Sequence, residues 1–319
     1  MIFKFEPQYM ERVWGGTSFK DILGRNTGDL KNLGESWDIV DRKDHQSKLS
    51  NTEAKGTKLR ALLLENHHLI MGPTWEKERP FPILVKWLEC RERLSLQVHP
   101  PSKIANKLGG EPKTENWYIA HATTDAGLFI GLKKGTTKDL FTQALKNGSA
   151  ESHCHRVNSH AGQSILVESG RLHAIDKGNL ILEIQQNSDT TYRAYDWGRV
   201  GLDGKPRELH LKNSLQCVDF NDFEPSPLLQ DQSKVKTLAD CPHFRIRKFN
   251  AKANENINLK EKNQDCLLLN PIGCKVIVGK ETVKSGSLAL SPYSESCEVT
   301  FKTDGQLLVT DHFTQFDKK

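Results

Sequence analysis

Side chains that can bind a metal alternate with apolar ones along one short segment, Leu94-Ser95-Leu96-Gln97-Val98-His99-Pro100. This alternation predicts a β-strand, and its period of two places Gln97 and His99 on the same face. An amide oxygen and an imidazole nitrogen on one face of a strand are suitable ligands for a divalent metal ion. The segment is therefore the first candidate for a functional site.

Two later segments add candidate ligands. Glu115 follows Lys113-Thr114 at the entrance to another predicted strand, and His173 comes after a predicted strand and a tight turn. Two histidines, a glutamate and a glutamine suit a borderline ion such as zinc and leave room for water or substrate. Two interpretations stay open at this point, a metal site and ordinary polar residues that line a barrel. The spacing is weak evidence, because 16 residues separate His99 from Glu115 and 58 separate Glu115 from His173.

An acid and a permanent cation lie in the segment 181–199, ILEIQQNSDTTYRAYDWGR. Alternation along Leu182-Ile184 and along Thr191-Arg193-Tyr195 would point each set of side chains to one face of a strand. Asp189 and Arg193 are candidates to face a polar cavity. The planar guanidinium of Arg193 would suit an anionic intermediate or a phosphate group. The alternative for Arg193 is a surface ion pair.

Two other histidine pairs are interpreted as structural. His153-Cys154-His155 follows Asn147-Gly148 in a polar connection, which predicts a solvated loop. His67-His68 follows the helical pattern 57–65 and would close that helix, where a histidine suits the negative end of the helix dipole.

Short strands broken by Gly, Pro, Asn and Asp dominate the rest of the chain. Helical patterns occur at 57–65, 102–108, 137–146 and 210–218. Many short strands with few helices favour an all-β jelly roll or barrel over alternating strands and helices. The clearest predicted strands are 83–88, 95–99, 117–120, 164–167, 180–185, 191–196, 274–278, 282–283, 288–290, 297–302 and 306–310.

The proline-rich segment Phe223-Glu224-Pro225-Ser226-Pro227 and the polar stretch through Asp240 predict a linker. We therefore expect a catalytic domain over 1–225, which contains most of the histidines, and a separate β domain over 235–319. The second domain, with only His243 and His312, is expected to bind no metal.

Composition excludes several classes of protein. The 319 residues carry a net charge of +5, spread along the chain without a basic stripe interleaved with aromatic residues, so nucleic-acid binding is not expected. No apolar run approaches the ~20 residues of a membrane helix, and no partner protein is evident. Seven cysteines without a CxxC pair or a secretory signal predict reduced thiols and a cytoplasmic location.

The ordered motifs resemble those of a known family. PFPILVKWLECRERLSLQVHP, GEPKTENWYI, SGRLHAI and ILEIQQNSDTTYRAYDWGR are similar to segments of the type I phosphomannose isomerases in their short bacterial form. ERVWGG, GESWDI, RELHLKNSLQCVDF and CPHFRI fit as well, so that the resemblance runs from residue 1 to about 250.

The resemblance implies an all-β protein of two cupin-like jelly-roll domains with short helical insertions. It also implies a zinc-dependent aldose–ketose isomerase, with one zinc per chain, that interconverts D-mannose 6-phosphate and D-fructose 6-phosphate through a cis-enediol(ate). Residue by residue, it implies Gln97, His99, Glu115 and His173 as metal ligands, Arg193 as the catalytic arginine, and Lys86, Lys113 and Asp189 as residues that line the substrate pocket.

The chain departs from the usual cupin pattern at Gln163, Glu168 and Arg171, which would alter the turn before His173 and the rim of the pocket. Two other functions remain open. One is a non-catalytic metal-binding cupin that senses or binds a sugar phosphate, and the other is an iron-dependent cupin oxygenase. Gln97 disfavours the oxygenase, whose iron is more often held by histidine and carboxylate ligands.

Overall fold

Strands make up most of the regular structure in the computed structural model, which describes residues 1–314. The predicted all-β class with short helices is confirmed. The strands are β1 (Phe3–Lys4), β2 (Gln8–Gly16), β3 (Leu33–Ile39), β4 (Ile83–Cys90), β5 (Leu96–Val98), β6 (Glu115–Ala122), β7 (Gly127–Leu132), β8 (Cys154–Asn158), β9 (Ser164–Val167), β10 (His173–Ile175), β11 (Asn179–Gln186), β12 (Tyr192–Tyr195), β13 (Val235–Cys241), β14 (Phe244–Ala251), β15 (Asn256–Lys260), β16 (Leu267–Ile272), β17 (Val276–Val278), β18 (Glu281–Val283), β19 (Ala289–Ser291), β20 (Cys297–Phe301) and β21 (Gly305–Asp311).

The helices are short and lie between the strands. They are α1 (Ser18–Asp21), α2 (Leu59–Met71), α3 (Ser102–Ala105), α4 (Lys138–Asn147) and α5 (Leu211–Cys217), with 3-10 turns at Asn106–Leu108 and Ala150–His153. All four predicted helices are present.

The chain forms two compact units. Unit 1 contains Met1–Gln8, Trp37–Val85 and the chain from Asp231 onward, and unit 2 contains Tyr9–Ser36 and Lys86–Gln230. The change of unit after Gln230 falls inside the predicted linker. The division into separate cupin-like domains over 1–225 and 235–319 stays a prediction.

Two sheets contain the strands of unit 2. One has five strands in the order β12-β5-β10-β7-β8, and the other has six in the order β2-β3-β4-β11-β6-β9. Side chains from both sheets meet in one apolar cluster that includes Trp117, Ile119, Ile130, Ile175 and Ile181. The two sheets therefore pack face to face as a sandwich.

Strands β6 and β11 position polar groups at one end of this sandwich. Glu115, Trp117 and Ile119 alternate along β6 and share its inner face. The antiparallel register pairs Gln185 of β11 with Glu115, and Glu183 with Trp117. The same two strands thus carry apolar residues inside the sandwich and carboxylates near one end.

Unit 1 contains a six-stranded sheet, β1-β19-β16-β21-β14-β13, and a four-stranded one, β15-β20-β17-β18. Its core includes Leu269, Val299, Phe301 and Val309.

Three sequence-based expectations about local structure are wrong. Helix α2 does not end at residue 65 but runs to Met71 across an irregular residue, Asn66, because Ile70 and Met71 are buried and extend its apolar face. Cys154 and His155 begin strand β8 rather than lying in a loop, and Cys154 is buried. The polar stretch after 234 forms strand β13, where pairing with β14 outweighs its low apolar content.

No helix among residues 1–314 is long and apolar enough to span a bilayer. All seven cysteines are free thiols.

Candidate metal centre and active site

Strands β5, β6 and β10 bring three of the predicted ligands together in unit 2. His99 Nε2 lies 3.3 Å from Glu115 Oε2, and His173 Nε2 lies 3.6 Å from Glu115 Oε1. All three side chains are buried, and one ligand atom from each lies within 4.8 Å of the others. Antiparallel pairing aligns His173 with Gln97, and Glu115 comes from the facing sheet.

Hydrogen bonds at the far side of each imidazole orient the two histidines. His99 Nδ1 is 2.9 Å from the carbonyl oxygen of Thr190, and His173 Nδ1 is 2.8 Å from that of Arg171. A carbonyl oxygen only accepts, so each Nδ1 carries the proton and donates. Each Nε2 therefore presents its lone pair to the centre of the cluster, which is the arrangement of a metal-binding histidine.

Gln97, the fourth predicted ligand, lies at the edge of this cluster. Its Nε2 donates to His173 Nε2 over 3.2 Å, and its Oε1 lies 3.5 Å from Ser95 Oγ. The amide oxygen of Gln97 is the atom of this side chain that can bind a metal ion.

The donor atoms fit a cation. Within the described chain, His99 Nε2 and Glu115 Oε1 are buried and make no hydrogen bond. Buried polar atoms without a hydrogen bond are costly, and a divalent ion satisfies them together. Two neutral imidazoles, a carboxylate and an amide oxygen are a donor set that zinc accepts.

Burial keeps both histidines neutral. It lowers the pKa of His99 to about 3, assisted by the charge of Lys113, and it also lowers the pKa of His173. For Glu115, burial alone would raise the pKa, but Lys113 and the imidazoles hold it well below the usual range. The cluster is therefore in the protonation state that metal binding requires.

Two lysines and a further carboxylate extend the site. Lys113 Nζ is 2.9 Å from Glu115 Oε2 and 3.9 Å from Glu183 Oε1, and Lys86 Nζ is also 3.9 Å from Glu183 Oε1. Trp117 Nε1 donates to Glu183 Oε2 over 3.0 Å. Burial and the negative charge of Glu115 raise the pKa of Glu183 to about 7, which suits proton transfer near neutral pH.

A cavity of about 610 Å³ opens beside this cluster, with Gln97, Lys113, Lys86 and Glu183 in its lining. Asp189 lines it too, with its side chain half exposed and 4.0 Å from Lys86 Nζ. A volume of this size is typical of small-molecule sites.

Arg193 also lines the cavity and is paired with Gln97 across strands β12 and β5. Its side chain donates to the carbonyl oxygen of Glu208 over 2.7 Å, and its Nε is buried without a hydrogen bond within the described chain. No carboxylate of the described chain forms a salt bridge with Arg193, so the alternative of a surface ion pair is wrong.

Of the residues that depart from the cupin pattern, Arg171 donates to both carboxylate oxygens of Asp222, over 2.8 and 2.9 Å. Gln163 accepts from the backbone nitrogen of His160 over 2.9 Å. The backbone carbonyl of Arg171 accepts the hydrogen bond from His173 Nδ1.

The sequence interpretation missed Glu183 and Arg207, which both line the cavity. Glu183 lies two residues before Gln185, which is the cross-strand partner of Glu115. Alternation along 180–185 would therefore have placed Glu183 and Gln185 on the same inner face. Arg207 lies in an irregular segment after β12, where no periodicity identifies it.

Asp265, Asp311 and His312 of unit 1 also lie close enough to hold a metal. Asp311, however, accepts 2.9 Å hydrogen bonds from two nitrogens of Arg245. Asp265 accepts from the backbone nitrogens of Cys266 and His312. These carboxylates are already satisfied, and we assign no metal to them.

The comparisons with known proteins agree with this geometry. Residues 2–112 match the model of the phosphomannose isomerase type I catalytic domain. Mannose-6-phosphate isomerase ManA of Bacillus subtilis is 36% identical over 299 residues, which cover 91% of this chain and 92% of that protein.

Solved structures show the same fold. A crystal structure of the mannose 6-phosphate isomerase from Bacillus subtilis has a TM-score of 0.84 and 28% identity, covering 97% of this chain and 99% of that one. A zinc-bound mannose 6-phosphate isomerase has a TM-score of 0.76 and 14% identity over 97% of this chain and 99% of that one. At this identity the second likeness shows the fold alone.

Proposed function

The chain belongs to the type I phosphomannose isomerases, and on that premise we propose that unit 2 interconverts D-mannose 6-phosphate and D-fructose 6-phosphate. The observation that carries the proposal is the buried cluster of His99, Glu115 and His173, whose neighbours Gln97 and Lys113 line a cavity of about 610 Å³. The reaction needs the sugar ring to open and a proton to move between C2 and C1 through a cis-enediol(ate).

We assign Gln97, His99, Glu115 and His173 as ligands of one zinc ion per chain. Zinc bound there supplies Lewis-acid polarisation of the substrate carbonyl, a contribution of several kcal/mol. The carbonyls of Thr190 and Arg171 fix the orientation of the two histidines before metal or substrate arrives.

Arg193 is assigned to the negative charge that develops on the enediolate. Its cross-strand pairing with Gln97 and its place in the lining of the cavity support this assignment. A positioned donor of this kind contributes roughly 3 kcal/mol to stabilisation of the transition state.

The remaining polar residues of the cavity orient the substrate and handle protons. We assign Lys86, Lys113 and Asp189 to the hydroxyl groups of the open-chain sugar. Glu183, held by Trp117 and facing both lysines, is a group of this chain that can hold and move a proton. We also propose a cytoplasmic location, which the free thiols of all seven cysteines support.

The test is a coupled assay of the zinc-loaded protein in both directions, starting from mannose 6-phosphate and from fructose 6-phosphate. We expect turnover that disappears on chelation and returns with zinc. A protein that keeps its zinc, binds mannose 6-phosphate and does not turn it over would instead be the non-catalytic sugar-phosphate-binding cupin.

A further inference from the structure

Three guanidinium groups surround the indole ring of Trp14. The Cζ atoms of Arg207, Arg199 and Arg12 lie 5.0, 5.8 and 6.0 Å from its ring centroid. Trp14 is buried and lines the cavity together with Arg12 and Arg207, whereas Arg199 is not part of the lining. An aromatic face stabilises cations at these distances and holds planar guanidinium groups in place.

Direct ion pairs leave positive charge unmatched on this side of the cavity. Arg207 and Arg199 share one buried carboxylate, Asp196, whose oxygens accept from Arg207 Nε over 2.7 Å and from Arg199 Nε over 2.9 Å. Arg193, on the same lining, has no carboxylate partner among residues 1–314. Arg12 is paired with Glu35 over 2.9 Å.

Two further acids line this part of the cavity, and within residues 1–314 neither forms a salt bridge with Arg207 or Arg193. Asp203 and Glu11 line the cavity, but both are exposed. Asp203 accepts a hydrogen bond from the backbone nitrogen of Lys205 over 3.0 Å.

Near the predicted metal ligands, the lysines of the cavity are paired with carboxylates. There Lys86 and Lys113 face three carboxylates: Glu115, Glu183 and Asp189. Both lysines are thus engaged by carboxylates, and Arg193 is assigned to the enediolate, which leaves Arg207 as the cation of this lining that can bind a second anionic group.

The proposed reaction requires a second anion-binding group, away from the reacting carbons. The reacting C1 and C2 atoms must lie at the metal ligands and Arg193, and the phosphate ester on C6 lies at the far end of the open-chain sugar. Arg207 belongs to the segment after β12 and contacts Asp196 and Trp14, whereas Gln97 and Lys113 contact the metal cluster. One cavity is lined by both groups.

We propose that Arg207, held by Asp196 and by the face of Trp14, binds the phosphate group of the substrate and makes the enzyme specific for phosphorylated sugars. The inference rests on the proposed function, because it takes the reacting carbons to lie beside Gln97. A guanidinium offers two parallel donors to a phosphate, and Asp196 engages only part of the five that Arg207 has.

The experiment compares Arg207→Gln with Arg199→Gln in the zinc-loaded enzyme. Both variants remove one guanidinium from Asp196 and from Trp14, but only Arg207 lines the cavity. The readouts are the dissociation constant of inorganic phosphate by calorimetry, KM and kcat for mannose 6-phosphate, and the preference for mannose 6-phosphate over unphosphorylated mannose.

For Arg207→Gln we expect phosphate binding to weaken, and KM to rise, by about tenfold to a hundredfold, the value of hydrogen bonds to a charged group. The preference for the phosphorylated sugar should fall by the same order. Arg199→Gln should leave phosphate binding and KM close to the wild-type values. Arg207→Lys should recover part of the affinity, because charge is kept and the planar fork is lost.

Two results would overturn the inference while leaving the proposed function intact: Arg207→Gln that binds phosphate like the wild type, or equal losses in the two variants, which would mean that Arg207 acts only by neutralising Asp196. A third result would separate the two proposals in the other direction. If the wild type shows no turnover but binds inorganic phosphate, and Arg207→Gln loses that binding, the anion site is supported and the isomerase activity is refuted.

Discussion

Replacing Arg193 by alanine tests the catalytic assignment most directly. Arg193 lines the cavity next to its cross-strand partner Gln97, and its side chain donates to the carbonyl oxygen of Glu208. The substrate carbonyl carries little charge in the ground state, whereas the enediolate oxygen carries nearly a full negative charge. The contribution of Arg193 therefore arises mainly in the transition state.

The size of the effect follows from a single well-placed cationic donor. A loss of roughly 3 kcal/mol corresponds to a fall in kcat of about 150-fold, since 1.36 kcal/mol is a factor of ten in rate. KM should change much less, because ground-state binding does not depend on the enediolate charge. Arg193→Lys should restore only part of the rate, because the ammonium keeps the charge without the planar fork.

The assay is steady-state kinetics with mannose 6-phosphate at equal zinc content, measured by elemental analysis of each preparation. Zinc content should stay at the wild-type value, because arginine is not a metal ligand. Arg207→Gln provides the contrast, with its effect expected in KM rather than kcat. An unchanged kcat in Arg193→Ala would refute the assignment, and a rise in KM alone would make Arg193 a second phosphate-binding residue.

Two further predictions follow from other contacts in unit 2. His173→Ala should lose bound zinc and turnover together, and its zinc affinity should fall by more than the ~10- to 100-fold that is typical when a residue outside the ligand set is replaced. The control is His121→Ala, which replaces an exposed histidine on the same sheet as Glu115 and should keep one zinc per chain by elemental analysis. Asp176→Asn should lower the free energy of unfolding at pH 7 by about 2 kcal/mol in urea titrations, because Arg93 and Arg156 each donate to that carboxylate over 2.8 Å. Burial alone would raise the pKa of Asp176, but these arginines lower it, so the wild type has this stability above the ordinary aspartate pKa of about 3.9 and loses it as the pH falls through the lowered value. A difference between Asp176→Asn and wild type that stays constant down to pH ~2 would contradict that account.

Local periodicity carried much of the prediction of this fold and site. Alternation along 95–99 is enough to put Gln97 and His99 on one face, and strand 164–167 is predicted to the residue. The family resemblance, and not periodicity, predicted that Glu115 and His173 converge on His99. The spacing of three distant segments does not determine which strands pair or how the two sheets face each other.

The residues that sequence reasoning missed have a common physical character. Glu183 becomes part of the site through its partners on neighbouring strands, Trp117 and the two lysines. Arg207 becomes part of it through Asp196 and through Trp14, and Trp14 is distant from both along the chain. Likewise, helix α2 continues past His67 because tertiary burial of Ile70 and Met71 outweighs a local stop signal. Contacts made only in three dimensions set each of these outcomes.

The residues assigned to the reaction and the residue assigned to substrate specificity lie in different kinds of structure. The residues assigned to metal binding and to the enediolate lie on or next to β5, β6, β10 and β12. Ladder hydrogen bonds fix the backbone of β5, β6 and β10 on both sides, and that of β12, an edge strand, on the side of β5. Arg207, assigned to the phosphate, lies in an irregular segment and depends on two side-chain contacts for its position. A site on strands holds reacting groups within tighter limits than a loop does, and a loop accepts substitutions at lower cost to the core. Changes in the segment after β12 should therefore alter which sugars the enzyme accepts, whereas changes in the four strands should abolish the reaction for every sugar.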